Sequence, residues 1–357
     1  MQKKACIAIA AIALGITAIL GGIFAPLRTA AAFAYAENEN AAIIALEKEQ
    51  EEQPDKEEQP DTQPNKDFIR WIDINADGSI LKSVLKCCRD YRKNGTELDF
   101  CEVLAYLATK NGNKFSPKSD EANLKKLRAH LDKGGAVSDI YGDNKYYKYY
   151  VESFNAVYGG IVGAFKRGEN AETEYGIKGF FPLAGGFWYT HYDDFGSSRT
   201  YGYKRRHLGH DFMGSQGTPI IALEGGTVNE LGWNRYGGWR IGIRSHDKKR
   251  YYYYAHLKKD KPFPADLKQG DTVEAGQVIG FLGQTGYSSK ENVNLKSGKP
   301  HLHLGLQIIF DESQEKGSGE IWVDLFGITK LLASERAKVE KNPDTGEWES
   351  KTLKYPV

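Results

Sequence analysis

Two residues that could bind one metal ion lie in the segment RHLGHDF, at residues 206–212. In an extended chain the side chains alternate between two faces, so His207 and Asp211, four residues apart, point the same way. Gly209 leaves no side chain between them. Zinc takes imidazole nitrogen at about 2.0–2.1 Å and carboxylate oxygen at about 2.0–2.2 Å, so the pair suits one ion. His210 is expected on the opposite face and is not predicted to be a ligand. For this segment alone, a surface histidine beside an aspartate is the alternative.

Two further histidines lie in the segment PHLHLGLQI, at residues 300–308. The apolar residues of this segment share one face of an extended chain: Leu302, Leu304, Leu306 and Ile308. Burial of that face fixes the register of the strand, and it directs His301 and His303 into the same space on the other side. Two histidines on one face are uncommon in a purely structural strand, and we interpret them as functional.

His256 follows a run of four tyrosines, and on an extended chain it shares a face with Tyr252 and Tyr254. Alone, it is typical of a packed or surface histidine. Taken together, one carboxylate and two neutral imidazoles make a three-ligand zinc site whose fourth position is open to water, which is the arrangement of a catalytic site. The sequence contains no H-E-x-x-H, G-x-S-x-G or Walker motif, so the commonest helical zinc proteases, serine hydrolases of that type and P-loop proteins are excluded.

These segments and their order resemble the lysostaphin-type (LytM-like) zinc endopeptidases of bacterial cell walls. The resemblance extends from Phe181 to Leu325 and is carried by HLGHDF, GTPIIALEGGTV, YYAHL, GDTVEAGQVIGFLGQTG and PHLHLGL. It implies an antiparallel two-sheet β domain of the duplicated hybrid motif type, with the site in a groove.

The resemblance also implies the cofactor and the roles of the site residues. One Zn²⁺ ion would be bound by His207, Asp211 and His303. The catalytic histidines would be His256 and His301, one as general base and one as stabilising donor, in an order that the sequence does not assign. Tyrosine hydroxyls that could support the oxyanion are those of Tyr201 and Tyr254.

The chain departs from the family pattern in three places. Between Gly286 and His301 it carries the insertion SSKENVNLKSGK, which we expect to remodel one wall of the groove. His210 stands at a position that is often aliphatic. Gly305 and Leu306 stand where an aromatic residue and an acid often follow the second histidine. None of these departures removes a predicted ligand.

The elements around the site are of two kinds. From Phe68 to Phe165, apolar residues recur at intervals of three and four, which predicts four or five short helices. Cys87, Cys88 and Cys101 lie there with no recognisable metal spacing; we predict buried thiols, with a single disulfide of Cys101 as the alternative. After residue 168, short apolar segments separated by glycines or Asp/Lys clusters recur at about ten-residue spacing, which is typical of an antiparallel sandwich or barrel.

The N-terminal region predicts export. Lys3 and Lys4 precede an apolar run from Ala5 to Leu27, long enough for a membrane anchor, while residues 34–36 (AYA) form a cleavage-like site; anchor and cleaved signal remain alternatives. The predicted organisation is a signal peptide or anchor at 1–36, an acidic Pro/Gln-rich linker at 37–66, a helical domain of unknown role at 67–166, the LytM-like peptidase domain at 174–330, and a C-terminal helix and tail at 331–357.

Composition and family resemblance together predict the function. The chain has 48 Lys and Arg against 47 Asp and Glu, a net charge of +1, so bulk nucleic-acid binding is not expected. The expected activity is hydrolysis of amide bonds in the peptide part of peptidoglycan, outside the cytoplasmic membrane, with peptidoglycan as substrate and the membrane as partner of the N-terminal segment. The alternatives are a non-catalytic wall-binding or envelope scaffold and an amidase that cuts between sugar and stem peptide.

Overall fold

The computed structural model describes residues 68–357, except residues 169, 202, 296, 297 and 318. The predicted signal or anchor at 1–36 and the predicted linker at 37–66 lie outside the described residues, and they stay predictions. Within the described part of the chain, no helix has both the length and the apolar character needed to cross a bilayer. Described residues 68–198 and 206–357 belong to one compact unit, and residues 199–205 fall outside it.

The helices of the described residues confirm the helical periodicity seen in the sequence: α1 (Gly78–Lys93), α2 (Phe100–Asn111), α3 (Pro117–Leu131), α4 (Val137–Tyr141), α5 (Lys145–Tyr158) and, near the C-terminus, α6 (Phe326–Leu332). The carboxylate of Asp77 caps α1 by accepting the N–H groups of Ser79 and Ile80. Cys87, Cys88 and Cys101 are buried free thiols in α1 and α2, so the disulfide alternative is wrong for these residues.

The strands of the described residues are β1 (Val162–Lys166), β2 (Glu174–Ile177), β3 (Tyr189–His191), β4 (Ser198–Tyr201), β5 (Tyr203–Arg206), β6 (His210–Gly214), β7 (Pro219–Ile221), β8 (Gly226–Asn234), β9 (Gly238–Ser245), β10 (Arg250–Ala255), β11 (Thr272–Val273), β12 (Val278–Phe281), β13 (His301–Ile308), β14 (Ile321–Val323), β15 (Val339–Lys341), β16 (Trp348–Ser350) and β17 (Tyr355–Pro356).

In the described part of the chain, the largest sheet has eight antiparallel strands in the order β11-β8-β9-β10-β13-β6-β3, with β14 also paired to β13. Smaller antiparallel sheets join β7 to β12, β15 to β16, β4 to β5, and β1 to both β2 and β17. The predicted antiparallel β architecture is therefore confirmed. The segment at 331–357, predicted as a helix and tail, contains the end of α6 followed by β15, β16 and β17.

The core explains the register of the strand that carries the two histidines. The apolar residues of β13 are fully buried: Leu302, Leu304, Leu306 and Ile308. His301 and His303 lie on the other face and are partly exposed, as the alternation predicts. The buried face belongs to a core that continues through Leu104 of α2 and Val157 of α5, so helices and sheet share one hydrophobic interior.

A buried ion pair joins the helices to the sheet. Arg250, at the start of β10, is 2% exposed and donates two hydrogen bonds to Glu224 at 2.7 and 3.0 Å. Its third guanidinium contact goes to the carbonyl of Ala156 in α5, at 2.7 Å. Tyr252 also donates to Glu224, at 2.7 Å. Because the guanidinium of Arg250 is buried, it must keep both its ion pair with Glu224 and its hydrogen bond to α5. These contacts therefore fix how α5 docks on the sheet.

Candidate metal centre and active site

The candidate site lies where β10, β13 and β6 run side by side. In the register of these strands, His303 stands opposite Asp211 on one side and opposite Ala255 on the other. His256 directly follows Ala255, and His301 is two residues before His303 on the same face. Antiparallel pairing thus assembles residues that are up to 92 positions apart in the chain.

Three of the predicted site residues direct a donor atom toward one point. Nε2 of His207 lies 2.9 Å from Nδ1 of His303 and 3.1 Å from Oδ1 of Asp211, and the last two atoms are 3.2 Å apart. Bonds of 2.0–2.1 Å in a tetrahedral zinc shell separate neighbouring ligand atoms by about 3.3 Å. The donor set of two imidazoles and one carboxylate, and its spacing, therefore fit a zinc ion.

Gly209 allows this cluster to close. A Cβ at this position would lie 2.5 Å from the carbonyl oxygen of Leu304 and 2.8 Å from both Cε1 and Nε2 of the His303 ring. Real Cβ atoms essentially never approach heavy atoms that closely. The absence of a side chain between His207 and Asp211 thus makes room for the third donor.

The far side of the His207 ring is held by Asp194. Nδ1 of His207 lies 3.1 Å from the carbonyl oxygen of Asp194 and 3.2 Å from its Oδ2. Donation from Nδ1 leaves Nε2 to face Asp211 and His303. Burial acts to lower the pKa of His207, but the bonds to Asp194 and Asp211 raise it to about 9. A proton and a metal ion therefore compete for Nε2 of this ring.

Asp211 is held in its ionised form. Although burial acts to raise its pKa, hydrogen bonds from His207 and His303 keep the pKa of this carboxyl well below its usual range. Burial lowers the pKa of His303, which favours the neutral imidazole. An ionised carboxylate and a neutral imidazole are the forms in which these groups bind a metal ion.

His210 lies on the other side of β6, buried completely, and is not part of this donor cluster. Its Nδ1 is 3.3 Å from Oδ1 of Asp194, and its Nε2 is 2.9 Å from Oδ1 of Asp324. Burial acts to lower the pKa of His210, but the contacts with Asp194 and Asp324 raise it to about 9. Asp193, His210 and Asp324 also form a second group whose donor atoms lie within 4.8 Å of one another.

The two remaining predicted residues form an imidazole pair beside the cluster. The rings of His256 and His301 are 4.7 Å apart, and His256 is 6.2 Å from the ring of His303. Nδ1 of His256 lies 2.7 Å from the carbonyl oxygen of Thr285, and Nδ1 of His301 lies 2.8 Å from that of Lys299. Because a carbonyl only accepts, each ring donates from Nδ1 and keeps Nε2 as its basic nitrogen.

The backbone of His256 adopts an unusual conformation. Its φ is +62°, in the left-handed region that non-glycine residues rarely enter and that costs about 1–3 kcal/mol. Its N–H donates to the carbonyl of Gly237 at 2.7 Å, which holds this conformation. Burial, followed by the neighbouring His301 and His303, lowers the pKa of His256 to about 3, so its imidazole is neutral near pH 7.

The predicted role of Tyr254 is wrong. Its side chain is fully buried on the core face, and its hydroxyl accepts the N–H of Leu223 at 3.0 Å. The expectation that His256 shares a face with Tyr252 and Tyr254 fails because the positive φ of His256 ends the strand alternation.

Tyr253, and not Tyr254, lies on the face of β10 that borders the candidate site. Its ring stands edge-on to His303 at 6.0 Å, and its hydroxyl accepts from Nδ2 of Asn234 at 3.2 Å. The other tyrosine candidate, Tyr201, has a side chain outside the described ones and stays a prediction.

The insertion after Gly286 borders the imidazole pair. Tyr287, directly before it, stacks on His256 with ring centroids 5.6 Å apart. Asn292 accepts from the indole N–H of Trp239 and the backbone N–H of Asp260, both at 2.9 Å, and donates to the Asp260 carboxylate at 2.7 Å. These bonds hold Asn292 in place, so the described residues of the insertion around it form part of the wall next to the candidate site.

Gly305, two residues after His303, stands where relatives often have an aromatic residue, and the structure gives a steric reason for this difference. A Cβ at Gly305 would lie 2.7 Å from the ring of Trp322, which comes from the neighbouring strand β14. An aromatic residue at 305 would therefore collide with that tryptophan.

Sequence reasoning missed the residues that support the site. Asp194 contacts His207 and His210 from the loop that precedes them, and Asp324 contacts His210 from 114 residues further along the chain. Only the unusual histidine at 210, where relatives are often aliphatic, indicated a partner. Tyr287 directly precedes the insertion, for which the sequence predicted a remodelled wall but no particular residue.

Part of the chain is similar to known peptidases. Residues 205–315 match the description of peptidase family M23. The L-Ala–D-Glu endopeptidase of Bacillus subtilis is 41% identical over 128 residues, which cover 35% of this chain and 37% of that protein. Lysostaphin of Staphylococcus simulans is 41% identical over 99 residues, which cover 28% of this chain and 17% of that protein.

Among solved structures, the catalytic domain of lysostaphin from Staphylococcus simulans is 32% identical, with 40% of this chain and 92% of that chain covered and a TM-score of 0.30. The matched segment spans well under half the length of both full-length relatives. Within residues 205–315, which include both histidine motifs, the chain carries a LytM-type domain of peptidase family M23.

Proposed function

We propose that this protein is a zinc-dependent endopeptidase that hydrolyses amide bonds in the peptide stems or cross-bridges of bacterial peptidoglycan. The observation that carries the proposal is the convergence of His207, Asp211 and His303, with donor atoms 2.9–3.2 Å apart, beside the His256–His301 pair. The relative named L-Ala–D-Glu endopeptidase supports a peptide bond as the target.

His207 would bind zinc through Nε2, His303 through Nδ1 and Asp211 through its carboxylate. A bound zinc ion would supply a Lewis acid that polarises the scissile carbonyl and makes a neighbouring water more acidic. The remaining chemistry belongs to side chains of this chain. Asp194 orients His207, and the ionised Asp211 supplies negative charge that favours cation binding.

The imidazole pair handles the proton. Both His256 and His301 are anchored at Nδ1 by backbone carbonyls, so both keep Nε2 as the nitrogen that can accept a proton. One of them would take the proton of the attacking water at Nε2, and the imidazolium so formed would return that proton to the leaving amine. To act as the stabilising donor of the oxyanion, the other ring must carry a second proton, on its Nε2. Because burial keeps His256 neutral, it can act as a base at neutral pH without first losing a proton.

Digestion of purified peptidoglycan by the full chain tests this proposal. The wild type should contain about one zinc ion per chain and release new amino groups. His303→Ala should lose both the zinc and the activity. His301→Ala should keep its zinc and lose activity by about 10²–10⁴-fold, the usual contribution of general acid–base catalysis. The exposed His246→Ala serves as the control that should match the wild type.

Two outcomes would contradict the proposal. A wild-type chain with neither zinc nor new amines would indicate the wall-binding or scaffold alternative. Mass analysis that finds intact stem peptides separated from sugar would indicate an amidase instead.

We also propose that the protein acts outside the cytoplasmic membrane, with residues 1–36 as signal peptide or anchor. The basis is the cell-wall substrate and the lysine-flanked apolar run of the sequence. Fractionation with an antibody to the folded part would place the mature chain in the membrane, the wall or the medium. Recovery in the cytoplasm alone would refute this proposal.

A further inference from the structure

A chain of alternating imidazoles and carboxylates runs from the candidate metal centre to α6. Asp194 contacts His207 through Oδ2 at 3.2 Å and His210 through Oδ1 at 3.3 Å. His210 in turn lies between Asp194 and Asp324, with its Nε2 2.9 Å from Oδ1 of Asp324. His210 is completely buried, so its two ring nitrogens depend on protein partners rather than on water: Nδ1 also lies 3.3 Å from the carbonyl oxygen of Tyr192, and Nε2 lies 3.2 Å from the backbone nitrogen of Leu325.

The first link fixes the ring of His207. Its backbone is held by the same loop as its side chain, because its N–H donates to Ser197 and its carbonyl accepts from Gly196, at 2.9 and 2.7 Å. With Asp194 on Nδ1, the ring has one orientation in which Nε2 faces Asp211. A carboxylate on the far nitrogen of a metal-binding histidine orients the ring and increases its basicity.

The last link is held by α6 and α1. Asp324 accepts the N–H of Phe326 at 2.7 Å, at the start of α6. α6 then lies closely against α1: a Cβ at Gly327 would be 2.5 Å from the carbonyl oxygen of Ala76, and a Cβ at Gly78 would be 2.6 Å from Cβ of Lys330. The position of Asp324 is therefore set by the contact between α6 and the helical region.

We propose that Asp194, His210 and Asp324 are positioning residues that hold His207 in its ligand orientation, and that the helical region supports them through α6. The inference rests on the proposed function, since it assumes that His207 binds zinc. It assigns the helices at 78–158 a role that the sequence left open, as a fixed support behind the metal centre.

Zinc affinity, measured by competition with a chromogenic chelator, tests the inference independently of activity. Asp194→Asn keeps the shape of the side chain but directs an amide N–H₂ at one of its two imidazoles, and we expect zinc binding to weaken about 10–100-fold. Asp324→Asn should weaken it by a smaller factor, because it acts through two intervening residues. Since both act on one chain of contacts, the double variant should lose less than the product of the two factors.

A second measurement separates positioning from general loss of structure. The ¹⁵N chemical shift of the His207 Nδ1 atom should change in Asp194→Asn and Asp324→Asn, while the metal-free forms of both variants stay folded by circular dichroism. Gly327→Ala should weaken zinc binding through the contact with Ala76, whereas Gly168→Ala, where no atom of the described residues lies within 4 Å of the added carbon, should not.

Three results would overturn the inference. If Asp194→Asn binds zinc as tightly as the wild type, the positioning role is refuted. If the loss of zinc binding in each variant only matches the fraction of that variant that is unfolded, the residues have a structural role instead. The wild type could also bind two zinc ions, with only one left in Asp324→Asn and in Asp193→Asn. That result would make the group of Asp193, His210 and Asp324 a second metal site. A wild-type chain that binds no zinc would refute the proposed function itself, which is a separate result.

Discussion

Replacing Gly209 by alanine tests the geometry of the donor cluster with a single added carbon. That carbon would lie 2.5 Å from the carbonyl oxygen of Leu304 and 2.8 Å from two ring atoms of His303. Ordinary contact begins at 3.4 Å, so the ring of His303 must move by about 0.6 Å or the β13 backbone must shift.

The size of the effect follows from the cost of overpacking. An extra methyl in a closely packed site costs about 1–3 kcal/mol. If the strain is relieved by displacing His303, this cost appears as lost zinc affinity, which is about a five- to 150-fold rise in Kd. Chelator competition measures the Kd, and urea unfolding in EDTA measures the stability of the metal-free chain.

Gly168→Ala is the matched control, because its added carbon meets no atom within 4 Å in the part of the chain that the structure describes. It should bind zinc as the wild type does. Zinc affinity of Gly209→Ala within twofold of the wild type would refute the reasoning. So would a loss of stability in EDTA with unchanged zinc affinity, since the strain would then fall on the strand and not on the ligand.

Three further predictions concern the stability of the fold. Glu224→Gln leaves the buried Arg250 without its main charge partner and should lower the free energy of unfolding by about 3 kcal/mol in urea titrations; an unchanged value would contradict the role given to this ion pair. Burial, aided by Lys330, lowers the pKa of His191 to about 4, so the unfolded chain binds more protons than the folded chain between pH 6.5 and 4. The free energy of unfolding should therefore fall by at most about 3 kcal/mol as the pH is lowered through that range. In urea titrations, His191→Gln should show a smaller difference between the free energies of unfolding at pH 7 and pH 4.5 than the wild type; an equal difference would refute this. Lys354→Ala removes a buried ammonium that bonds to Glu335 and to the carbonyl of residue 177, so it should cost about 1–3 kcal/mol and expose the C-terminal strand to limited proteolysis; protection equal to that of the wild type would contradict it.

The sequence was most informative where the alternation of apolar and polar residues along one strand determined which face of that strand is buried. On β13 the leucines leave a single register, and that register alone predicts that His301 and His303 share a face. The close approach of His207 to Asp211 was likewise predictable, because Gly209 separates them and four residues of extended chain bring side chains to one side.

The positions that could not be predicted depend on long-range contacts or on local strain. The positive φ of His256, whose N–H bonds to the carbonyl of Gly237, breaks the strand alternation, so His256 does not share the buried face of Tyr254 and Tyr253 is the tyrosine that borders the site. No periodicity in the sequence brings Asp324 to His210, because that contact depends on how α6 docks against the helices.

The most direct test of the metal centre is zinc K-edge X-ray absorption on the purified chain, combined with anomalous diffraction. We predict one zinc ion per chain, with two imidazole nitrogens and one carboxylate oxygen at about 2.0–2.2 Å, and anomalous density between His207, Asp211 and His303. Zinc found at other residues, or no zinc in a folded chain supplied with it, would contradict the account.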